Sequence, residues 1–181
     1  MITLNIANIV SLLRLFLVPV ILWMILENNL QTAFWIFLFA SLTDTIDGFL
    51  ARRLNIITKF GGIIDPISDK ILIFSVLITL SYKNYVAAPL VIVIVLRDCV
   101  ILMGSVFSIL LKKKINFTPL KIGKITFFFQ SLFVGMLLCN YIGYFNLEII
   151  IKYFGLFIIY LTFISGILYL IRWLKDLVVK I

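Results

Sequence analysis

Long apolar runs, separated by short polar breaks, divide the chain into six segments of similar length. An α-helix needs about 20 residues to cross the hydrocarbon core of a bilayer. The runs that qualify are 6–26, 31–51, 63–82, 86–111, 123–144 and 148–172. Backbone N–H and C=O groups in lipid must be satisfied within each segment. The pattern therefore predicts an all-α protein, a polytopic bundle of six transmembrane helices.

The overall composition supports a membrane protein. Of the 181 residues, 64% are hydrophobic and 13% are charged, whereas soluble domains are about half apolar and a quarter charged. No polar stretch is long enough to form a second domain. Residues 1–181 are therefore predicted to form a single membrane-embedded domain.

Basic residues are distributed unequally between the two ends of the predicted crossings. Six crossings place both termini on one side, together with the turns 52–59 and 112–124. Those turns and the C-terminal tail hold eleven Lys and Arg, whereas the opposite side holds only Lys83 and Lys152. The positive-inside rule then predicts cytoplasmic termini, and the membrane is expected to be a bacterial-type inner (plasma) membrane. The net charge of +8 is explained by basic residues that orient the protein in the membrane and contact anionic lipid. We therefore expect no nucleic-acid partner.

Five of the eight acidic residues fall between positions 44 and 98, in or at the ends of predicted crossings: Asp44, Asp47, Asp65, Asp69 and Asp98. A membrane carboxylate is unfavourable unless it faces a cavity, a cation or a partner. Asp44 and Asp47 are three positions apart, and Asp65 and Asp69 are four apart. Each pair therefore shares one helix face. The short turn at 52–59 predicts that the two helices are antiparallel neighbours. Both pairs then converge at the cytoplasmic end, where the active site is expected.

Four converging carboxylates predict a site for hard cations. Like charges at close range raise one another's pKa or recruit cations. The chain has no His, which argues against zinc, and an all-oxygen ligand set selects Mg²⁺ or Mn²⁺. Two such ions can stabilise the attacking and leaving oxygens in a displacement at phosphorus. Arg52 lies near enough in sequence to pair with a phosphate at the same site.

A single aspartate in a membrane helix does not by itself indicate an enzyme. It could cap a helix, form a structural ion pair with Lys70 or Arg97, or couple ion movement in a carrier. For Asp98, which follows Arg97, a structural pair and a functional role stay equally open. An ion-coupled carrier is the alternative for the whole chain, although four carboxylates near one membrane face favour a metal-dependent enzyme.

The stretch 44–69 reads DTIDGFLARRLNIITKFGGIIDPISD. It fits D-x2-D-G-x2-A-R-x8-G-x3-D-x3-D at every position, and it resembles the signature of the CDP-alcohol phosphatidyltransferase family. The NIANIVSLLRLFLVP and PLKIGKITFFFQ stretches are also similar to family members. The resemblance implies six crossings with cytoplasmic termini and a homodimer. It also implies transfer of the phosphatidyl group of CDP-diacylglycerol to an alcohol, with release of CMP.

The resemblance further implies a role for each position of the motif. Two divalent cations, Mg²⁺ or Mn²⁺, are bound by Asp44, Asp47, Asp65 and Asp69. Asp69 also acts as the catalytic general base on the acceptor hydroxyl. The CDP-lipid is bound at Gly48, Ala51, Arg52 and Gly61.

The acceptor is less closely defined by the resemblance. The glycerol-lipid branch fits best, either cardiolipin synthase, which uses phosphatidylglycerol, or phosphatidylglycerophosphate synthase, which uses glycerol-3-phosphate. The latter typically has two Arg-Glu pairs near the fourth crossing, whereas this chain has only Arg97-Asp98. Phosphatidylglycerol is therefore the preferred acceptor, although Lys124 could supply the missing charge. Arg97 and Lys124 are the candidate acceptor-binding residues.

The first crossing has a polar start. Asn8 and Arg14 are candidates for contacting a lipid phosphate there. The alternative for Arg14 is that its long side chain extends to the membrane interface.

Overall fold

The computed structural model describes the backbone of residues 6–53, 61–110, 121–143 and 146–178, and the side chains of residues 12–43, 67–101, 103, 121–143 and 146–173. Within these ranges the structure has six α-helices and no β-strand, which confirms the all-α prediction. The helices are α1 (Ile6–Leu26), α2 (Leu30–Arg53), α3 (Gly61–Tyr82), α4 (Ala88–Leu110), α5 (Lys121–Ile142) and α6 (Glu148–Val178).

The helices differ from the predicted segments mainly at polar ends. Arg52 and Arg53, assigned to a turn from their charge, continue α2, and α6 extends past residue 172 to Val178. Arg and Lys are good helix formers, so a charged residue marks where the apolar run ends, not where the helix ends. The prediction that the turn begins at Arg52 was wrong for this reason.

Two helices in the described part of the chain are long and apolar enough to cross a membrane: Lys121–Ile142 in α5 and Glu148–Trp173 in α6. Shorter apolar stretches lie at Leu12–Leu26 in α1 and Leu30–Thr43 in α2. The six crossings and the cytoplasmic termini stay predictions.

Helix α6 buries one of its sides and exposes large apolar side chains on another. One side buries Gly155, Ile158, Thr162 and Ser165, spaced three or four residues apart. Another side exposes large apolar side chains at similar spacing, which are Ile149, Tyr153, Leu156, Tyr160, Phe163 and Ile167. A helix that is apolar all round suits a surrounding of lipid rather than water.

The chain forms two compact units. The first comprises Met1–Val86 with Val134–Leu147, and in it α1 packs against both α2 and α3. Arg14, Val18, Ile21 and Ile25 of α1 are buried at helical spacing, so a single face of α1 makes these contacts.

Short polar links join helix ends in this first unit. Asn28 adopts a left-handed conformation with φ 59° after α1, which Asn tolerates better than most residues. The side-chain oxygen of Asn29 accepts a 3.2 Å hydrogen bond from the Thr32 N–H and caps α2. The Tyr85 hydroxyl donates to Asn28 Oδ1 at 3.3 Å, and the Tyr141 hydroxyl donates to the Tyr85 carbonyl at 2.8 Å.

The second unit comprises Ala87–Phe133 with Glu148–Ile181, and in it α4 packs against α6. Phe129 makes edge-to-face contacts with Phe154 and Phe157, with ring centroids 5.9 and 5.3 Å apart. Gly155 allows close packing here, because a Cβ at this position would lie 3.0 Å from Leu90 Cδ1 and 3.6 Å from Phe133 Cζ.

Substituting Gly155 should therefore destabilise the second unit. We expect Gly155→Ala to lower stability by about 1 kcal/mol and Gly155→Val by about 1–3 kcal/mol, because the added carbons overpack against Leu90 and Phe133. The matched control is Gly135→Ala, whose Cβ would lie 3.9 Å from its nearest neighbour, Phe37. The measurement is the midpoint of thermal unfolding in detergent. Equal midpoints for Gly155→Ala and Gly135→Ala would contradict the close contact.

Candidate functional site

The four aspartates of the motif lie on two helices of the first unit. Asp44 and Asp47 are three positions apart in α2, and Asp65 and Asp69 are four apart in α3. Both helices pack against α1, so α1 is their shared neighbour. Of the four, only the side chain of Asp69 falls within the described residues. The convergence of all four carboxylates stays a prediction.

The remaining motif residues have a described backbone only. Gly48, Ala51 and Arg52 lie in α2, and Gly61 is the first residue of α3. Their side chains, and that of Asn8 in α1, lie outside the described residues. The CDP-lipid and lipid-phosphate roles assigned to these positions are therefore carried forward as proposals.

Asp69 forms an ion pair with Arg14. The Arg14 Nη1 contacts Asp69 Oδ1, and the two side chains are 2% and 20% exposed, respectively. The Arg14 side chain is therefore buried and contacts α3. This pairing joins residues 55 positions apart in sequence, and no local pattern signals it.

The geometry gives Asp69 a fixed orientation. One carboxylate oxygen is held by a buried guanidinium, and one-fifth of the side chain is exposed. A general base has to be within hydrogen-bond reach of its proton in a defined pose. A carboxylate that is held by a partner and one-fifth exposed is compatible with that requirement.

The chemistry of the donor set fits divalent cations such as Mg²⁺ or Mn²⁺. Carboxylate oxygens are the ligands these ions prefer, and the chain has no His. Among the side chains the structure describes, no three His, Cys, Asp or Glu residues are grouped closely enough to hold a metal ion. Three of the four predicted ligands, Asp44, Asp47 and Asp65, have side chains outside the described residues.

A second polar cluster surrounds Arg97 in the second unit. Its Nη1 pairs with Asp98, and its Nη2 donates to the Ser165 hydroxyl of α6. The guanidinium lies 5.5 Å from the centre of the Tyr169 ring, at cation–π distance. Arg97 and Asp98 are 10% and 1% exposed. Of the two possibilities raised for Asp98, the ion pair is therefore present.

Two glycines leave room for this cluster. A Cβ at Gly123 of α5 would lie 2.8 Å from the Tyr169 hydroxyl and 3.6 Å from Arg97 Nη2. A Cβ at Gly166 would lie 3.7 Å from Arg97 Cγ. Ser165 and Tyr169 were not identified from the sequence, although their i, i+4 spacing on an apolar helix was a usable signal. Lys124, the other candidate acceptor residue, is exposed on α5.

The Arg14–Asp69 pair should behave as a coupled unit in a double-mutant cycle. Asp69→Asn should cost about 3–5 kcal/mol because it removes the negative charge from one partner of a buried ion pair. Arg14→Met should cost less, because Asp69 is partly exposed. The double variant should be more stable than the sum of the two losses predicts. Thermal unfolding in detergent provides the measurement.

A matched control for this cycle pairs Arg14→Met with Thr79→Val. Thr79 is also on α3, where its hydroxyl donates to the Ser75 carbonyl at 2.8 Å. Among the described contacts, Arg14 and Thr79 share no hydrogen bond or ion pair, so the losses in unfolding free energy caused by the two substitutions should be additive within about 0.5 kcal/mol. Additive losses for Arg14 and Asp69 would show that they are not coupled.

Comparison with known proteins identifies the family. The chain matches the CDP-alcohol phosphatidyltransferase family over residues 4–171. It is 38% identical over 130 residues to the CDP-diacylglycerol–glycerol-3-phosphate 3-phosphatidyltransferase of Aquifex aeolicus, covering 71% of this chain and 72% of that protein. It is 32% identical over 179 residues to a probable phosphatidylglycerophosphate synthase of Mycobacterium tuberculosis, covering 96% and 83% of the two chains.

A rat cardiolipin synthase (CMP-forming) is 39% identical over 106 residues, which cover 58% of this chain and 35% of the rat protein. The chain thus matches about a third of that relative's length and most of the two bacterial ones. The family match includes the whole of the motif at 44–69 and all but the last turns of α6. The protein therefore belongs to the CDP-alcohol phosphatidyltransferase family.

Proposed function

We propose that this protein transfers the phosphatidyl group of CDP-diacylglycerol to a glycerol-containing acceptor, with release of CMP, in anionic phospholipid synthesis. The family match over residues 4–171 carries the proposal. The motif within that match retains all eight of its fixed positions, and relatives of both glycerol-lipid types are named for this chemistry. An ion-coupled carrier is not favoured, because none of these relatives is named as one.

The reaction is a displacement at phosphorus. The acceptor hydroxyl oxygen forms a bond to the phosphorus of the phosphatidyl group, the bond from that phosphorus to the CMP oxygen breaks, and CMP leaves. Asp69 receives the hydroxyl proton in this proposal. Two Mg²⁺ or Mn²⁺ ions, held by Asp44, Asp47, Asp65 and Asp69, would supply positive charge against the pyrophosphate.

The described contacts suit this assignment of Asp69. Arg14 contacts the carboxylate at Oδ1, which restricts its orientation. Gly48, Ala51, Arg52 and Gly61 are assigned to the CDP-lipid. Small residues allow a ligand to approach the helix backbone closely, and Arg can form two parallel hydrogen bonds to a phosphate.

The membrane arrangement is also part of the proposal. The protein would be a multi-pass inner-membrane protein with its termini and active site on the cytoplasmic side, as a homodimer. The eleven-to-two distribution of basic residues and the apolar surface of α6 support a membrane location. The homodimer rests on the family resemblance alone.

Purified protein with Mg²⁺ or Mn²⁺ should release CMP from CDP-diacylglycerol when an acceptor is present, and a chelator should stop the release. Asp69→Asn should lower turnover by about 10²–10⁴-fold, the usual contribution of a general base. Because this change also breaks an ion pair, the Arg14→Met/Asp69→Asn variant should be assayed beside Arg14→Met. Wild-type turnover in either Asp69 variant would rule out Asp69 as the base.

The lipid product separates the two candidate acceptors. Phosphatidylglycerol as acceptor yields cardiolipin, and glycerol-3-phosphate yields phosphatidylglycerophosphate. Each acceptor should be supplied alone with CDP-diacylglycerol, and the product identified by mass spectrometry. Cation flux into liposomes without CMP release would instead support the carrier.

A further inference from the structure

The carboxylate of Asp69 already has a cation of the chain itself beside it. Arg14 Nη1 of α1 lies against Asp69 Oδ1 of α3. A guanidinium is always charged in proteins, and it pairs closely with carboxylates. In the proposed function, the same carboxylate also binds a divalent ion from solution. Asp69 therefore has two cations to serve, one built into the fold and one taken from outside.

The two partners of the ion pair differ in exposure. The Arg14 side chain is 2% exposed, whereas that of Asp69 is 20% exposed. Val18 and Ile21, which follow Arg14 at helical spacing on α1, are 6% and 0% exposed, so Arg14 belongs to the buried face of its helix. The guanidinium is therefore enclosed by protein, and the carboxylate is the partner that an ion from solution can reach.

A divalent ion at Asp69 has to share this carboxylate with the buried guanidinium. Like charges repel, and the repulsion is stronger where protein replaces water. An ion that draws the carboxylate away also leaves a buried cation with less compensation, which is unfavourable. Both effects oppose metal binding for as long as position 14 carries a positive charge.

We propose that Arg14 competes with the divalent ions for Asp69 and so weakens their binding. This inference rests on the proposed function for the assignment of Asp69 as a metal ligand. Without metal, Arg14 holds the carboxylate and balances its charge, and an ion binds at the expense of that contact. By linkage, metal binding and the Arg14–Asp69 contact weaken each other by the same factor. Arg14 is thus a positioning residue that sets the metal affinity through Asp69.

The test measures binding of Mn²⁺ to the full chain in detergent, without substrate. Free Mn²⁺ is quantified by its electron paramagnetic resonance signal. Arg14→Met and Arg14→Gln both remove the charge, and both should lower the Kd for Mn²⁺ about tenfold, a typical factor for two coupled sites. Arg14→Gln keeps a hydrogen-bond donor beside Asp69, so it serves as the test variant if Arg14→Met does not fold.

Two control variants separate the charge of Arg14 from its packing. Arg14→Lys retains a cationic side chain and should bind Mn²⁺ less tightly than Arg14→Gln does. Lys83→Met removes a positive charge 14 positions from Asp69, just past the end of α3. That separation is about 21 Å along a helix, which is beyond the screening length of about 8–10 Å, so the Kd should not change. A purely structural role for Arg14 would make its replacement weaken Mn²⁺ binding.

Thermal unfolding provides an independent measurement of the same effect. An ion that binds only the folded chain raises the Tm, and the gain increases with affinity. At one Mn²⁺ concentration, the gain in Tm should be larger for Arg14→Gln than for the wild type, even though the metal-free Tm of the variant is lower. Lys83→Met should show the gain of the wild type.

Three outcomes would overturn the inference. The first is a Kd for Mn²⁺ that is unchanged or higher in both Arg14→Met and Arg14→Gln. The second is equal tightening in Lys83→Met, which would indicate a general effect of net charge. The third is wild-type Mn²⁺ affinity in Asp69→Asn, which would show that Asp69 is not a ligand.

Failure of the proposed function would be recognised separately. If the wild type releases no CMP with any acceptor, while the Arg14 variants bind Mn²⁺ more tightly, the proposed reaction fails and the competition at Asp69 stands. If CMP is released and the Arg14 variants do not bind Mn²⁺ more tightly, the reaction stands and the competition fails.

Discussion

Charge balance among apolar helices is the constraint on which the rest of this structure depends. A charge removed from water is tolerated when an opposite charge or several hydrogen bonds compensate it. The described residues satisfy this twice, with Arg14 against Asp69 and Arg97 against Asp98. Each pair includes candidate site residues, so the contacts that balance these charges also orient those side chains.

The two pairs differ in how far they are exposed. Asp69 has one-fifth of its side chain exposed beside the buried Arg14 guanidinium, and it lies on α3, which carries the last part of the motif. The Arg97–Asp98 pair is 10% and 1% exposed, and most residues around it are apolar. Of the two acidic residues, Asp69 is therefore the more accessible to a ligand from outside its helix pair.

The helices were predictable because long apolar runs predict membrane segments, in which the backbone must satisfy its own hydrogen bonds. The ion pair between Arg97 and Asp98 was one of two predicted possibilities, because the two residues are adjacent in sequence. The Arg14–Asp69 pair was not predicted, because only the packing of α1 against α3 brings together positions so far apart. The same is true of Ser165 and Tyr169, which reach Arg97 from α6. Periodicity shows which face of a helix is apolar, but it does not show which helix that face meets.

The ion pair between α1 and α3 has a consequence for the order in which the chain folds. Arg14 and Asp69 are 55 positions apart, so their contact closes a long stretch of chain, and closing a longer loop costs more conformational entropy. Contacts within a helix need no such closure. We therefore expect the packing of α1 against α3 to form after each of the two helices has formed by itself.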